Sequence, residues 1–193
     1  MRIIDEINAE GAGFGMSVAT CGKELDQETL LIPGEPLMSP EELMAEAIAI
    51  SRQAVSNPAH RPFAAFIVKD GEIVGKGLND TPSSHDPTAH GEVLAIRDAT
   101  KRLSTQDLSG CEIYTTCEPC SLCVAAIWWA GLDKMYYAAT LKDCAEIGIG
   151  VSGLVEEIAK PVNARKMKAE QILGDESRAV LKEWAKSPGF LEF

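Results

Sequence analysis

The chain has no run of about eighteen consecutive apolar residues, the minimum for a membrane-crossing helix. It also has no apolar stretch behind its first residues. Asp5 and Glu6 stand where a secretory signal would need hydrophobic side chains, so the expected compartment is the cytoplasm, with no membrane partner. Positive charge is scarce: 18 Lys and Arg against 29 Asp and Glu leave a formal net charge of -11. Affinity for nucleic acid rests largely on cationic contacts to phosphates, so a polyanionic partner is disfavoured. The one basic stretch, Lys160, Arg165, Lys166 and Lys168, reads as solvated surface. A dinucleotide loop is missing too: after Gly11 and Gly13, position 16 is methionine where the pattern needs glycine. No internal repeat is visible.

What is present is a chain of 193 residues, 46% apolar, enough for one domain with a hydrophobic core. Residues 1–38 show no period and end in Pro33-Gly34-Glu35-Pro36, which reads as an irregular extension to a domain spanning 39–193. Ser39-Pro40-Glu41-Glu42 has the form of a capping box and predicts a helix to about Ala54, with Leu43, Ala47 and Ile50 on its buried face. Asp70-Gly71 between two β-rich runs, Phe63 to Lys69 and Ile73 to Leu78, predicts a tight hairpin. Asp86-Pro87 predicts the start of a helix to about Leu103, and Pro119 the start of another to about Ala130. Further strands are expected at Glu112 to Thr116, Met135 to Ala139 and Met167 to Leu173. A helical turn is expected at Lys142 to Ile147 and a last helix at Glu176 to Lys186. Strands alternating with helices imply an α/β sandwich.

Six cysteines in a chain of this length do not need to form a disulfide framework, and Cys117, Cys120 and Cys123 crowd together as a metal site would require. His90, Cys120 and Cys123 supply one imidazole and two thiolates. Three protein ligands leave a tetrahedral zinc with an open position for water, which distinguishes a catalytic from a structural ion. Glu92 is then free for acid-base work: H-x-E with P-C-x-x-C is the pattern of zinc deaminases, in which the glutamate carries protons. Helix N-termini beneath both clusters are expected to lower the thiol pKa values and keep both cysteines as thiolates. Zinc chemistry here would supply a hydroxide near neutral pH. A closed structural site would need Cys117 as fourth ligand. An iron-sulfur cluster would need a cysteine where Ile127 stands. His60, His85, Cys21, Cys111 and Cys144 read as structural.

At Pro87-Thr88-Ala89-His90-Gly91-Glu92 and Cys117-Glu118-Pro119-Cys120-Ser121-Leu122-Cys123 the chain resembles the cytidine deaminase-like superfamily, and within it the bacterial guanine deaminases. The likeness covers about residues 40–187. It implies a three-layer α/β/α sandwich with a central five-stranded mixed sheet, a homodimer, and one zinc per subunit. It also implies a substrate pocket in which Asn79 holds the base edge, Phe63 and Trp129 line the walls, and Ala89 contributes to the lining. Relatives carry acidic residues just after a Glu-x-Gly-Phe segment, whereas Glu146-Ile147-Gly148-Ile149-Gly150-Val151 continues without one. They also close the site with a tail tyrosine, whereas this chain ends Phe190-Leu191-Glu192-Phe193.

The expected function is therefore hydrolytic deamination of a free nucleobase or related amino-heterocycle, with guanine the best single name. The alternatives are cytosine, isocytosine or an aminotriazine such as ammeline. A transfer RNA adenosine deaminase would share both zinc motifs but should be basic. A non-catalytic binding protein on the same scaffold would have no need of Glu92.

Overall fold

The computed structural model describes residues 38–188 and 190. The expected N-terminal extension, apart from residue 38, therefore lies outside the described residues.

Helix α1 (Pro40–Arg52) starts on the predicted capping box: the Ser39 hydroxyl accepts the Glu42 N–H, and the Glu42 carboxylate accepts the Ser39 N–H. It runs into a 3-10 turn over Gln53–Ser56. Strands β1 (Ala64–Lys69) and β2 (Glu72–Leu78) form the predicted hairpin, and both turn residues take positive φ, Asp70 at 51° and Gly71 at 81°. A short helix α2 (Thr81–Ser84) follows, then α3 (Gly91–Leu103), β3 (Cys111–Cys117), α4 (Ser121–Trp129), β4 (Lys134–Ala139), α5 (Leu141–Glu146), α6 (Ser152–Ala159) and α7 (Gly174–Trp184).

The sheet order is β2-β1-β3-β4. β1 runs antiparallel to β2 and β3, and β3 runs parallel to β4. The starting end of β1 and the finishing ends of β2, β3 and β4 therefore share one edge. Because side chains alternate across a strand, β1 feeds two cores. Phe66 and Val68 join Tyr114 against Leu43 and Ala47 of α1 on one face. Ala65 and Ile67 join Ile113 against Ala95 and Ala99 of α3 on the other, with Ile127 of α4 packed alongside. Tyr136 extends the first core by stacking on Tyr114 at 4.4 Å. This is the mixed-sheet, three-layer α/β/α class expected.

Four strands, not five, form the sheet among the described residues. The expected strand over residues 167–173 is unpaired, with Met167 and Ile172 exposed. Its last residue, Leu173, takes a positive φ of 51° as the N-cap of α7, a conformation incompatible with an extended run. The helices expected from Asp86 and Pro119 start later. Asp86 spends its carboxylate on the Thr88 N–H and hydroxyl, at 2.8 and 2.6 Å. His90 and Cys120 are themselves the N-caps of α3 and α4.

Candidate active site

The shared sheet edge collects the chemistry. His90 and Glu92 arrive on the start of α3, Cys120 and Cys123 on the start of α4, Phe63 just before β1, and Asn79 just after β2. Backbone hydrogen bonds lock these entries together. The Asn79 N–H donates to the Phe63 carbonyl at 2.8 Å, and the Asp80 N–H to the Ala89 carbonyl at 3.0 Å. Gly91 is required where α3 meets this edge, since a Cβ there would come within 2.5 Å of the Phe63 carbonyl oxygen.

His90 Nδ1 lies 3.7 Å from Cys120 Sγ and 3.3 Å from Cys123 Sγ, and the two sulfurs are 3.7 Å apart. Tetrahedral zinc, with bonds of about 2.3 Å to sulfur and about 2.05 Å to nitrogen, spaces such donors by about 3.8 and 3.6 Å. The three donor atoms lie close to that spacing, His90 and Cys123 being slightly nearer, and among the described residues they form the one cluster of this kind. Cys117 is not in it. Its thiol lies 3.2 Å from Cys144, and burial first, then that contact, pushes it up to about 12.

Without a metal ion the two site thiols differ. The hydrogen bond from Cys123 holds Cys120 down at about 3, helped by His90 and by the Cys123 and Leu122 N–H groups at the start of α4. Cys123 is correspondingly raised, by the Cys120 hydrogen bond, burial and the Glu92 charge. His90 is raised by its hydrogen bond to Cys120. Glu92, 6% exposed, is raised by burial, with a hydrogen bond to Cys123 and the charge of His90 opposing. Burial thus equips Glu92 to hold a proton closer to neutral pH than an exposed carboxyl does.

His90 and Glu92 open onto a cavity of about 540 Å³ that Phe63 and Asn79 also line. Two other sequence candidates lie elsewhere. Ala89 is buried, its N–H donating to the Asp86 carbonyl and its carbonyl accepting from Asp80, so it ties the loop and is not among the cavity walls. Trp129 is 64% exposed, edge-on to Trp128, in a separate apolar groove with Val124, Val155 and Ile158. Of the expected tail, Phe190 packs edge-on against Trp184, and residues 191–193 lie outside the described ones.

The sequence reading missed several wall residues. Arg61 and Thr81 flank the strand ends, Glu118 accepts the Leu141 N–H at 3.0 Å, and Ile149 and Val151 supply apolar wall. Glu118 lay within the zinc motif and was the most findable; the others carry no local signal.

Residues 38–139 match the cytidine and deoxycytidylate deaminase zinc-binding region. The chain is 40% identical over 147 residues to the guanine deaminase of Bacillus subtilis, covering 76% of this chain and 94% of that protein. It is 37% identical over 125 residues to the tRNA-specific adenosine deaminase of Aquifex aeolicus, covering 65% of this chain and 80% of that one. The X-ray structure of guanine deaminase from Bacillus subtilis superposes with a TM-score of 0.77 at 38% identity, covering 81% of this chain and 99% of that one. The chain belongs to the cytidine and deoxycytidylate deaminase family.

Proposed function

We propose, with that membership as premise, that the protein is a zinc-dependent hydrolase that converts free guanine and water to xanthine and ammonia. The observation that carries the proposal is the triangle of His90 Nδ1, Cys120 Sγ and Cys123 Sγ at tetrahedral-zinc spacing, with the buried carboxyl of Glu92 beside it on the same cavity. Likeness to the Bacillus subtilis protein over nearly its full length favours guanine among the bases.

His90, Cys120 and Cys123 would hold one zinc per subunit, which would supply an acidified water as nucleophile at neutral pH. Glu92 would accept a proton from the attacking water and pass it to a ring nitrogen of the base, then accept a second proton from the hydroxyl of the addition product and pass it to the amine as the C–N bond breaks. Its burial keeps the carboxyl's affinity for a proton high enough for both transfers. Asn79 holds an edge of the base, and Phe63 lies along its face. A neutral heterocycle suits a protein of net charge -11 better than a transfer RNA does.

The same proposal takes residues 39–193 as the deaminase domain and residues 1–38 as an appendage to it, in keeping with a family match that begins at residue 38. The proposal extends to a homodimer in the cytoplasm, as the resemblance of the zinc motifs implies. The deciding experiment is ammonia release from guanine, cytosine, isocytosine, adenine, ammeline and the matching nucleosides. Guanine turnover well above the rest is expected. Turnover of another substrate alone, or of none, would overturn the assignment.

A further inference from the structure

We infer that Thr81 is a positioning residue that locks the Asn79 side chain with its NH₂ group toward the substrate, so that Asn79 donates to the base and cannot accept from it. The inference rests on the nucleobase reading above and refines it. Asn79 is 3% exposed and lines the cavity. Its Oδ1 accepts two hydrogen bonds from Thr81, one from the backbone N–H at 3.2 Å and one from the hydroxyl at 2.9 Å.

A backbone N–H can only donate, so the atom facing it must be the amide oxygen. Turning the amide over would set two donors against each other. The hydroxyl is oriented in turn, because Thr81 Oγ1 receives the Arg61 Nε–H at 3.1 Å and therefore directs its own proton at Asn79.

The backbone is held as firmly. The Arg61 N–H donates to the Asn79 carbonyl at 3.0 Å, and the Asn79 N–H donates to Phe63. Oxygen and backbone are thus fully used within the protein. Among the described residues, Asn79 Nδ2 has no protein acceptor and is not sealed off from solvent. The group left for the ligand is a rigid donor. It selects heterocycles that present a ring nitrogen or carbonyl oxygen at that point, and it opposes those that present N–H there, since an unmatched polar pair in a closed site is costly.

The test compares Thr81→Val, Thr81→Ser, Asn79→Ala, Asn79→Asp and the double variant Thr81→Val/Asn79→Ala, each checked for zinc content and thermal unfolding. Thr81→Val keeps the N–H and the volume but removes the hydroxyl. It should raise the guanine KM about tenfold, the worth of one hydrogen bond, with kcat within about threefold of wild type. Thr81→Ser should restore wild-type behaviour. In the Asn79→Ala background, Thr81→Val should add less than about twofold, because its effect runs through the amide.

Asn79→Asp accepts both Thr81 bonds and so preserves the local structure, yet it offers the base only an acceptor. Its KM should rise at least as much as that of Asn79→Ala, and this variant decides the matter should Thr81→Val fail to fold. A wild-type KM in Thr81→Val or in Asn79→Asp overturns the inference, as does a Thr81→Val effect that persists without Asn79. A wild-type protein that turns over no base instead removes the functional reading and this inference together.

Discussion

The thiols of Cys117 and Cys144 face each other at 3.2 Å, both buried, bridging the end of β3 to α5. Cys117 is thereby committed to the wall of the site and not to its metal. Cys117→Ala should retain one zinc per chain, whereas Cys120→Ala and Cys123→Ala should each lose it, as read by metal analysis of the purified proteins. Zinc missing from Cys117→Ala would mean a closed four-ligand centre.

Glu92→Gln removes the proton carrier while keeping the shape of the side chain. Zinc content should stay at one, and kcat for guanine should fall by about 10²–10⁴. Single-turnover ammonia release measures this directly, and near-normal turnover would assign the proton transfers elsewhere.

Zinc uptake should release a number of protons that depends on pH. Cys120, at about 3, is already a thiolate at neutral pH, Cys123 keeps its proton, and His90 is raised. Binding requires two thiolates and a neutral imidazole. Release should therefore be about two protons at alkaline pH, one from Cys123 and one from the water that zinc would acidify. As pH falls through the His90 titration the imidazolium adds a proton, because a raised pKa means more imidazolium to discharge, while the water contributes less. Calorimetry in buffers of different ionisation enthalpy counts these protons; three at alkaline pH would show that Cys120 is not ionised.

Gly77 is where β2 touches α3. A Cβ there would overlap the Gly91 carbonyl oxygen and come within 2.5 Å of the Ala95 nitrogen. Gly77→Ala should cost about 1–3 kcal/mol of stability through overpacking and weaken zinc binding, since the displaced helix start carries His90 and Glu92. Gly153→Ala in α6 meets open space and should unfold at or above the wild-type temperature. Thermal and chemical denaturation of the three proteins, with and without zinc, test both statements.

The metal centre was legible because its ligands are local: Cys120 and Cys123 sit on one turn, and His90 and Glu92 on another. The Ser39 capping box and the Asp70-Gly71 turn were legible for the same reason. Asp86-Pro87 misled because aspartate serves turns and helix caps equally well, and its bonds to Thr88 settle it as a turn. Residues 167–173 misled because apolar content without pairing partners does not make a strand. The helix Thr81–Ser84, at 4 residues, is too short to show a period, and Ser152–Ala159 carries Gly153 near its start, which blunts its helical signal. The cavity wall was the least readable part: Arg61, Cys144, Ile149 and Val151 meet only through the sheet edge, at sequence separations no local pattern records.

Neither α3 nor α4 has a side-chain cap, since the residues in the capping positions are His90 and Cys120. Each helix opens on a side chain of the metal site, and Cys120 also draws on the Leu122 and Cys123 N–H groups. A bound ion would then act as a rivet through two helix starts, stabilising both together. Chelation should release both starts at once, raising hydrogen exchange at residues 91–94 and 121–124 together and making the unfolding temperature follow zinc concentration.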